Sequence, residues 1–265
     1  MIPYFSTSII VISIKIASAS MLPLDHPVTF RAYMEMFYLP AAGYYLWFIW
    51  ALWWMMVLIP FFKTVKSRLM LFTFSAILFF CQESFPEVFC LQQTASYMVF
   101  FTGGTVISDF MRRYEIPTFS TSTQWGSVIV FISLAAYILI DGFIDYDALS
   151  IATIMLATNI SGIAAFFSLS AMFTRIAGSR ALQSALSIAS ASYIIYLFHT
   201  TFEGFAKGIA AKIGVFSWNP TALWCWLGAF SVIACGIMIP WWLGRKILPR
   251  WNLTRFLFGL PSRRE

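Results

Sequence analysis

SALSIASASYIIYLFHTTFEGFA, residues Ser184 to Ala206, is long enough and apolar enough to cross a membrane, yet it carries Ser192, Tyr196, His199 and Glu203. These four stand at i, i+4, i+7 and i+11. At about 100° per residue they fall in one narrow stripe of a helix. An ionisable side chain inside a spanning helix is costly, so it normally faces a bundle interior or a wet cavity. The spacing therefore predicts a buried polar site in a polytopic membrane protein. A second reading stays open at this point, in which the stripe only hydrogen-bonds neighbouring helices.

The rest of the chain has the same character. Of its 265 residues 60% are hydrophobic, 19% aromatic and only 11% charged, which is not the composition of a soluble domain. Twenty-eight Phe and eleven Trp suit a bilayer-embedded bundle with aromatic belts. The net charge of +6 does not point to nucleic acid, because the basic residues lie in short clusters between apolar spans. No stretch is long or polar enough for a second soluble domain. The four cysteines show no metal spacing. Cys225 and Cys235 sit within an apolar span as small hydrophobes. Cys81 and Cys90 flank a short polar loop, where a disulfide is compatible with an oxidising compartment and free thiols are the default.

Hydropathy predicts an all-α transmembrane bundle of about eight spans, near 2–22, 43–62, 67–82, 91–110, 125–141, 148–171, 184–206 and 221–243. The charges then set its orientation. Lys63, Lys66 and Arg68 follow the second span, Arg112 and Arg113 the fourth, Arg175 and Arg180 the sixth, and Arg245, Lys246 and Arg250 the last. The alternate loops hold Glu83 and Glu87, then Asp141, Asp145 and Asp147, with only Arg31, Lys207 and Lys212 as bases. The positive-inside rule places the basic loops and both termini in the cytoplasm. The bundle is expected over residues 1–247. Residues 248–265 mix Trp251, Phe256 and Phe258 with Arg250, Arg255, Arg263 and Arg264, and read as a cytoplasmic interfacial tail on anionic lipid.

Three segments carry a resemblance. Ile2-Pro3-Tyr4-Phe5 opens a span, Leu46-Trp47-Phe48-Ile49 lies just inside the second, and Ser192-Tyr193-Ile194-Ile195-Tyr196-Leu197-Phe198-His199 forms part of the seventh. In that order they resemble the "PY", "LWFL" and "SYxIYLxH" segments of the acyltransferase 3 family. The resemblance implies a bacterial inner-membrane enzyme that transfers acetyl or other acyl groups to sugars of surface polysaccharides or glycolipids. It implies acetyl-CoA as donor, a glycan or glycolipid acceptor, membrane lipids as surroundings, and no metal or nucleic acid. It also implies that two preceding helices are absent here, together with the basic residue and histidine central to the family's catalysis. Little activity is then expected of this exact chain. His26, the other histidine, reads as a solvated loop residue before Pro27.

O-acylation needs a base for a sugar hydroxyl, a polarised thioester carbonyl and a place for the donor phosphates. His199 is the candidate base. Glu203, one turn further on, is positioned to pair with it or to meet the interface. Tyr196 is the candidate donor to a carbonyl or sugar oxygen. Trp47 is the candidate sugar-stacking residue, with interfacial anchoring as its alternative. Arg112 and Arg113 are candidates for the CoA diphosphate, or else ordinary positive-inside charge. Gly103-Gly104 suggests close helix packing. Two rival functions remain open on sequence: a transporter or flippase of a polar or lipid-linked substrate, and a non-catalytic membrane remnant.

Overall fold

The computed structural model describes residues 1–19, 28–113, 120–141, 146–214 and 222–260, and among them the regular structure is helical. Its main helices are α1 (Ile2–Ser18), α2 (Ala32–Glu35), α3 (Trp47–Leu58), α4 (Val65–Phe80), α5 (Leu91–Arg113), α6 (Thr121–Asp141), α7 (Ala148–Ile176), α8 (Ser179–Ser190), α9 (Ser192–Lys212), α10 (Ala222–Trp242) and α11 (Asn252–Leu257). Local chemistry sets several of their ends. Pro3 sits at the start of α1, where its missing N–H costs nothing. Thr64 and Ser67 form a reciprocal capping box on α4, with both backbone-to-hydroxyl distances 3.1 Å. The Asp147 carboxylate accepts from the Ser150 amide at the start of α7.

Among the described residues four stretches are long and apolar enough to cross a membrane: Tyr44–Phe61, Thr121–Ile140, Leu149–Ile176 and Trp226–Arg250. They correspond to the second, fifth, sixth and eighth expected spans. Leu139 and Ile140 are 84% and 86% exposed, an arrangement that suits lipid and not water. The seventh expected span requires a correction. It is not one straight helix over 184–206: the chain breaks at Ala191, and α8 and α9 meet at 73°. Only as a bent pair do they make a fifth crossing. α1 and α4, with 17 and 16 residues, are shorter than a full span.

The chain divides into two compact units, one of Met1–Val57, Pro86–Thr94 and Ala185–Glu265, the other of Leu58–Phe85 and Ala95–Ser184. In the first, α1, α3 and α9 share a buried cluster that includes Tyr4, Ile12, Leu46, Trp50, Ile194 and Leu197. Tyr4 donates its hydroxyl to the carbonyls of Met36 at 2.8 Å and Leu39 at 2.9 Å. Its ring meets Trp50 edge-on at 5.6 Å. Residues 33–39 thus lie alongside α1 before α3 begins. Phe89 and Cys90 have φ of 56° and 55°, a region that non-glycine residues occupy only under constraint. The constraint is visible: the Phe89 amide donates to the Tyr38 carbonyl at 2.7 Å, and its carbonyl accepts from Trp54 Nε1 at 3.2 Å.

Cys81 and Cys90 are free thiols, so the optional disulfide is not formed. Cys81 is exposed. Cys90 is buried, and burial, assisted by the Glu87 carboxylate, pushes its thiol up to about 12. Maleimide labelling of the folded protein near pH 7 should therefore modify Cys81 readily and spare Cys90. Peptide mapping checks it, and rapid modification of Cys90 would contradict the buried turn.

In the second unit α4 and α5 run antiparallel. Ser75 and Thr102 share a buried hydroxyl–hydroxyl bond of 2.7 Å. A Cβ on Gly103 would lie 3.2 Å from the Phe72 ring, which supports the close-packing account of that glycine. α6 and α7 are joined by Ser127 and Ser168 at 2.9 Å.

Candidate functional site

The site grows from the break in the chain at Ala191. The run from Ser187 to Ser192 is made mostly of serine and alanine. Ser190 turns its hydroxyl back to the Ser187 carbonyl at 2.8 Å, a bond that competes with the helix ladder and favours bending. Ser187 Oγ in turn accepts from Trp241 Nε1 at 3.2 Å and from Arg245 Nη1. Arg245 belongs to a π-helical turn, Leu243–Ile247, that follows α10. From this fixed start α9 runs antiparallel to α10. Ile194 lies against Gly244, and Glu203 lies against Gly236.

His199 lies on the side of α9 that meets Tyr45, in the turn before α3, and is half-buried. Its Nδ1 is 2.9 Å from the carbonyl oxygen of Tyr196. A carbonyl only accepts, so Nδ1 carries a proton, and in the neutral ring the lone pair is on Nε2. The ring packs edge-on against Tyr45 at 5.3 Å between centroids. Tyr45 and Tyr196 tie the turn before α3 to α9 reciprocally. Tyr45 donates to the Leu197 carbonyl at 3.0 Å, while Tyr196 donates to the Tyr45 carbonyl. Thr200 and Thr201 border the Tyr45 hydroxyl. Trp47 meets Phe48 edge-on at 5.9 Å, and Phe48 meets Tyr196 at 5.4 Å. The second and third resembling segments therefore form one aromatic cluster around the histidine.

Of the residues expected on the stripe, Tyr196 and His199 are brought together and Trp47 joins them through Phe48. Ser192 is exposed at the first position of α9. Glu203 does not pair with His199: no ion pair joins them among the described residues. It is turned to α10 instead, where a Cβ built on Gly236 would lie 2.6 Å from its Oε1 and 2.6 Å from its Cγ. Arg112 is exposed near the end of α5 in the second unit. The side chain of Arg113 and all of His26 lie outside the described residues. Lys15 is half-buried in α1.

The sequence reading missed Tyr45 and Gly236. For Tyr45 a signal existed. It directly precedes Leu46-Trp47-Phe48-Ile49 and follows Gly43, over which its ring folds: a Cβ on Gly43 would lie 2.4 Å from Tyr45 Cε1. Only glycine leaves room for that ring. Gly236 stands in an apolar span with nothing to mark it. Replacing it by alanine should cost about 1–3 kcal/mol of stability, because Glu203 must leave the seam between α9 and α10. Glu203→Ala should make the same change nearly neutral. A double-mutant cycle read by thermal melting checks this, and purely additive effects would contradict the contact.

The apolar helices define a membrane protein, and in its first unit His199 is held between two tyrosines. A family model described as acyltransferase domain matches residues 1–240 of the 265-residue chain. The chain belongs to the acyltransferase 3 family. No curated protein and no solved structure matches it.

Proposed function

We propose that this protein works as an O-acyltransferase in which His199 is the general base. The observation that carries the reading is the bond of His199 Nδ1 to the Tyr196 carbonyl, which makes Nε2 the nitrogen available as base in the neutral ring. Nε2 takes the proton of an acceptor hydroxyl as its oxygen attacks the thioester carbonyl. The carbon–sulfur bond breaks, and the departing thiolate recovers the proton from the imidazolium. Tyr45 and Tyr196 hold the ring in register, a role for Tyr196 closer to positioning than to proton transfer. Trp47 offers a flat face to a sugar at the edge of the same cluster. Glu203 adds negative charge one turn along α9. Arg112 and Arg113 are proposed as partners of donor phosphate on the strength of their charge.

Family membership supports acetyl-CoA as donor and a surface polysaccharide or glycolipid as acceptor, with the bundle in a bacterial inner membrane. The charge pattern supports basic loops and both termini on the cytoplasmic side. The test is transfer of radiolabelled acetyl from acetyl-CoA to a glycan or glycolipid fraction by membranes that contain the protein. Label appearing in an alkali-labile ester supports the reading and overturns the expectation that this exact chain has little activity. Acetyl-CoA hydrolysis without acceptor labelling, or no dependence on the protein, rejects it.

A further inference from the structure

We propose that Arg255 is a specific phosphate-binding residue, beyond the general attraction of a basic tail for a membrane. Its Nε and Nη1 are both buried and make no hydrogen bond. A guanidinium stays protonated under all physiological conditions. Two of its three nitrogens are therefore out of water with no acceptor, which is costly for a group that stays charged. Among the described residues no ion pair to Arg255 relieves that cost: α1 and residues 243–260 contain no aspartate or glutamate, and Glu203 of α9 lies against Gly236. The charged residues that these segments do carry besides Arg255, namely Lys15, Arg245, Lys246 and Arg250, are all positive.

The fold holds Arg255 in this place. Phe258 packs on Phe198 of α9 at 5.4 Å. Gly259 adopts φ +63°, a conformation that favours glycine, and a Cβ there would press on Pro3 at 3.1 Å. The Leu260 amide closes the turn on the Arg255 carbonyl at 2.8 Å. Opposite the packed face, Trp251, Leu253 and Phe256 are 57%, 67% and 63% exposed. In a membrane protein these apolar side chains enter the outer part of the bilayer, which sets α11 at the depth of phosphate groups. Arg255 as a whole is half-buried, so one edge of the side chain is open to an anion, which must enter further to reach Nε and Nη1. Phosphate oxygens match guanidinium donors in charge and in planar geometry.

Two sources share this chemistry: the phosphodiester of a phospholipid and the phosphates of coenzyme A. Only the second rests on the acyl-transfer reading. The test uses the full chain purified in a maltoside detergent, which contains no phosphate, and reads the melting temperature. Phosphatidylglycerol, diacylglycerol as the phosphate-free control, and coenzyme A are added separately to wild type, Arg255→Lys and Arg255→Met. We expect phosphatidylglycerol or coenzyme A to raise the melting temperature of wild type by several degrees. The rise should be partly kept in Arg255→Lys and lost in Arg255→Met, while diacylglycerol has no effect. A response to the lipid identifies a headgroup site, and one to coenzyme A a donor site. If Arg255→Met does not fold, native mass spectrometry of retained phosphatidylglycerol and coenzyme A on wild type and Arg255→Gln replaces it. No response to either probe, or equal responses in wild type and the neutral variants, overturns the proposal. Because melting needs no turnover, an inactive enzyme would not disturb the result.

Discussion

His199→Asn should lower acetyl transfer about 100- to 10,000-fold, the range expected for loss of a positioned general base, and His199→Ala should lower it as far. The asparagine variant is the sharper test. Its side-chain amide can still donate to the Tyr196 carbonyl, which His199 Nδ1 approaches at 2.9 Å. It therefore preserves the local bond and removes only the basic nitrogen. His199→Ala also opens a gap beside Tyr45, whose ring lies 5.3 Å from the imidazole, and its melting temperature should fall as well. Comparable activity losses with different stability losses would separate chemistry from packing. Retention of more than about a tenth of the rate in His199→Asn would reduce the residue to a helix-binding role and leave the proposed mechanism without its base.

Much of this arrangement is legible in the amino-acid order, and the reasons for the rest are physical. The stripe through Tyr196 and His199 follows from helical periodicity, which a break at Ala191 does not disturb because both residues lie beyond it. The bend itself is written in the Ser and Ala run, but its angle depends on Ser187 meeting Trp241 and Arg245, more than fifty residues away. Periodicity places Glu203 on the same side of the helix as His199. It cannot say that a buried glycine on α10 draws that carboxylate away. Likewise Tyr45 reads as one aromatic among many until its hydroxyl is seen on the Leu197 carbonyl, 152 positions along the chain. Contacts of such separation depend on which helices pack together, and local pattern contains little of that.

Asp109→Ala should destabilise the second unit by about 2–5 kcal/mol, as expected when one partner of a partly buried charge pair is removed. In the sequence Arg68 reads as a loop cation that helps to set orientation. In the structure its Nη1 lies 2.6 Å and 2.7 Å from the two carboxylate oxygens of Asp109. Its Nε donates to the Phe62 carbonyl at 3.1 Å, so one guanidinium joins the turn before α4 to the end of α5. The side chains are 28% and 17% exposed, which puts the pair well above an exposed surface bridge in worth. Removing the acid strands a permanently charged arginine among apolar helix ends. Removing both partners should cost less than removing Asp109 alone, because Arg68→Met in the Asp109→Ala background takes away the stranded charge. Thermal unfolding of the two single variants and the double variant in detergent measures the cycle. A double variant less stable than Asp109→Ala would show that Arg68 holds the helix ends by its bond to Phe62 more than by its charge.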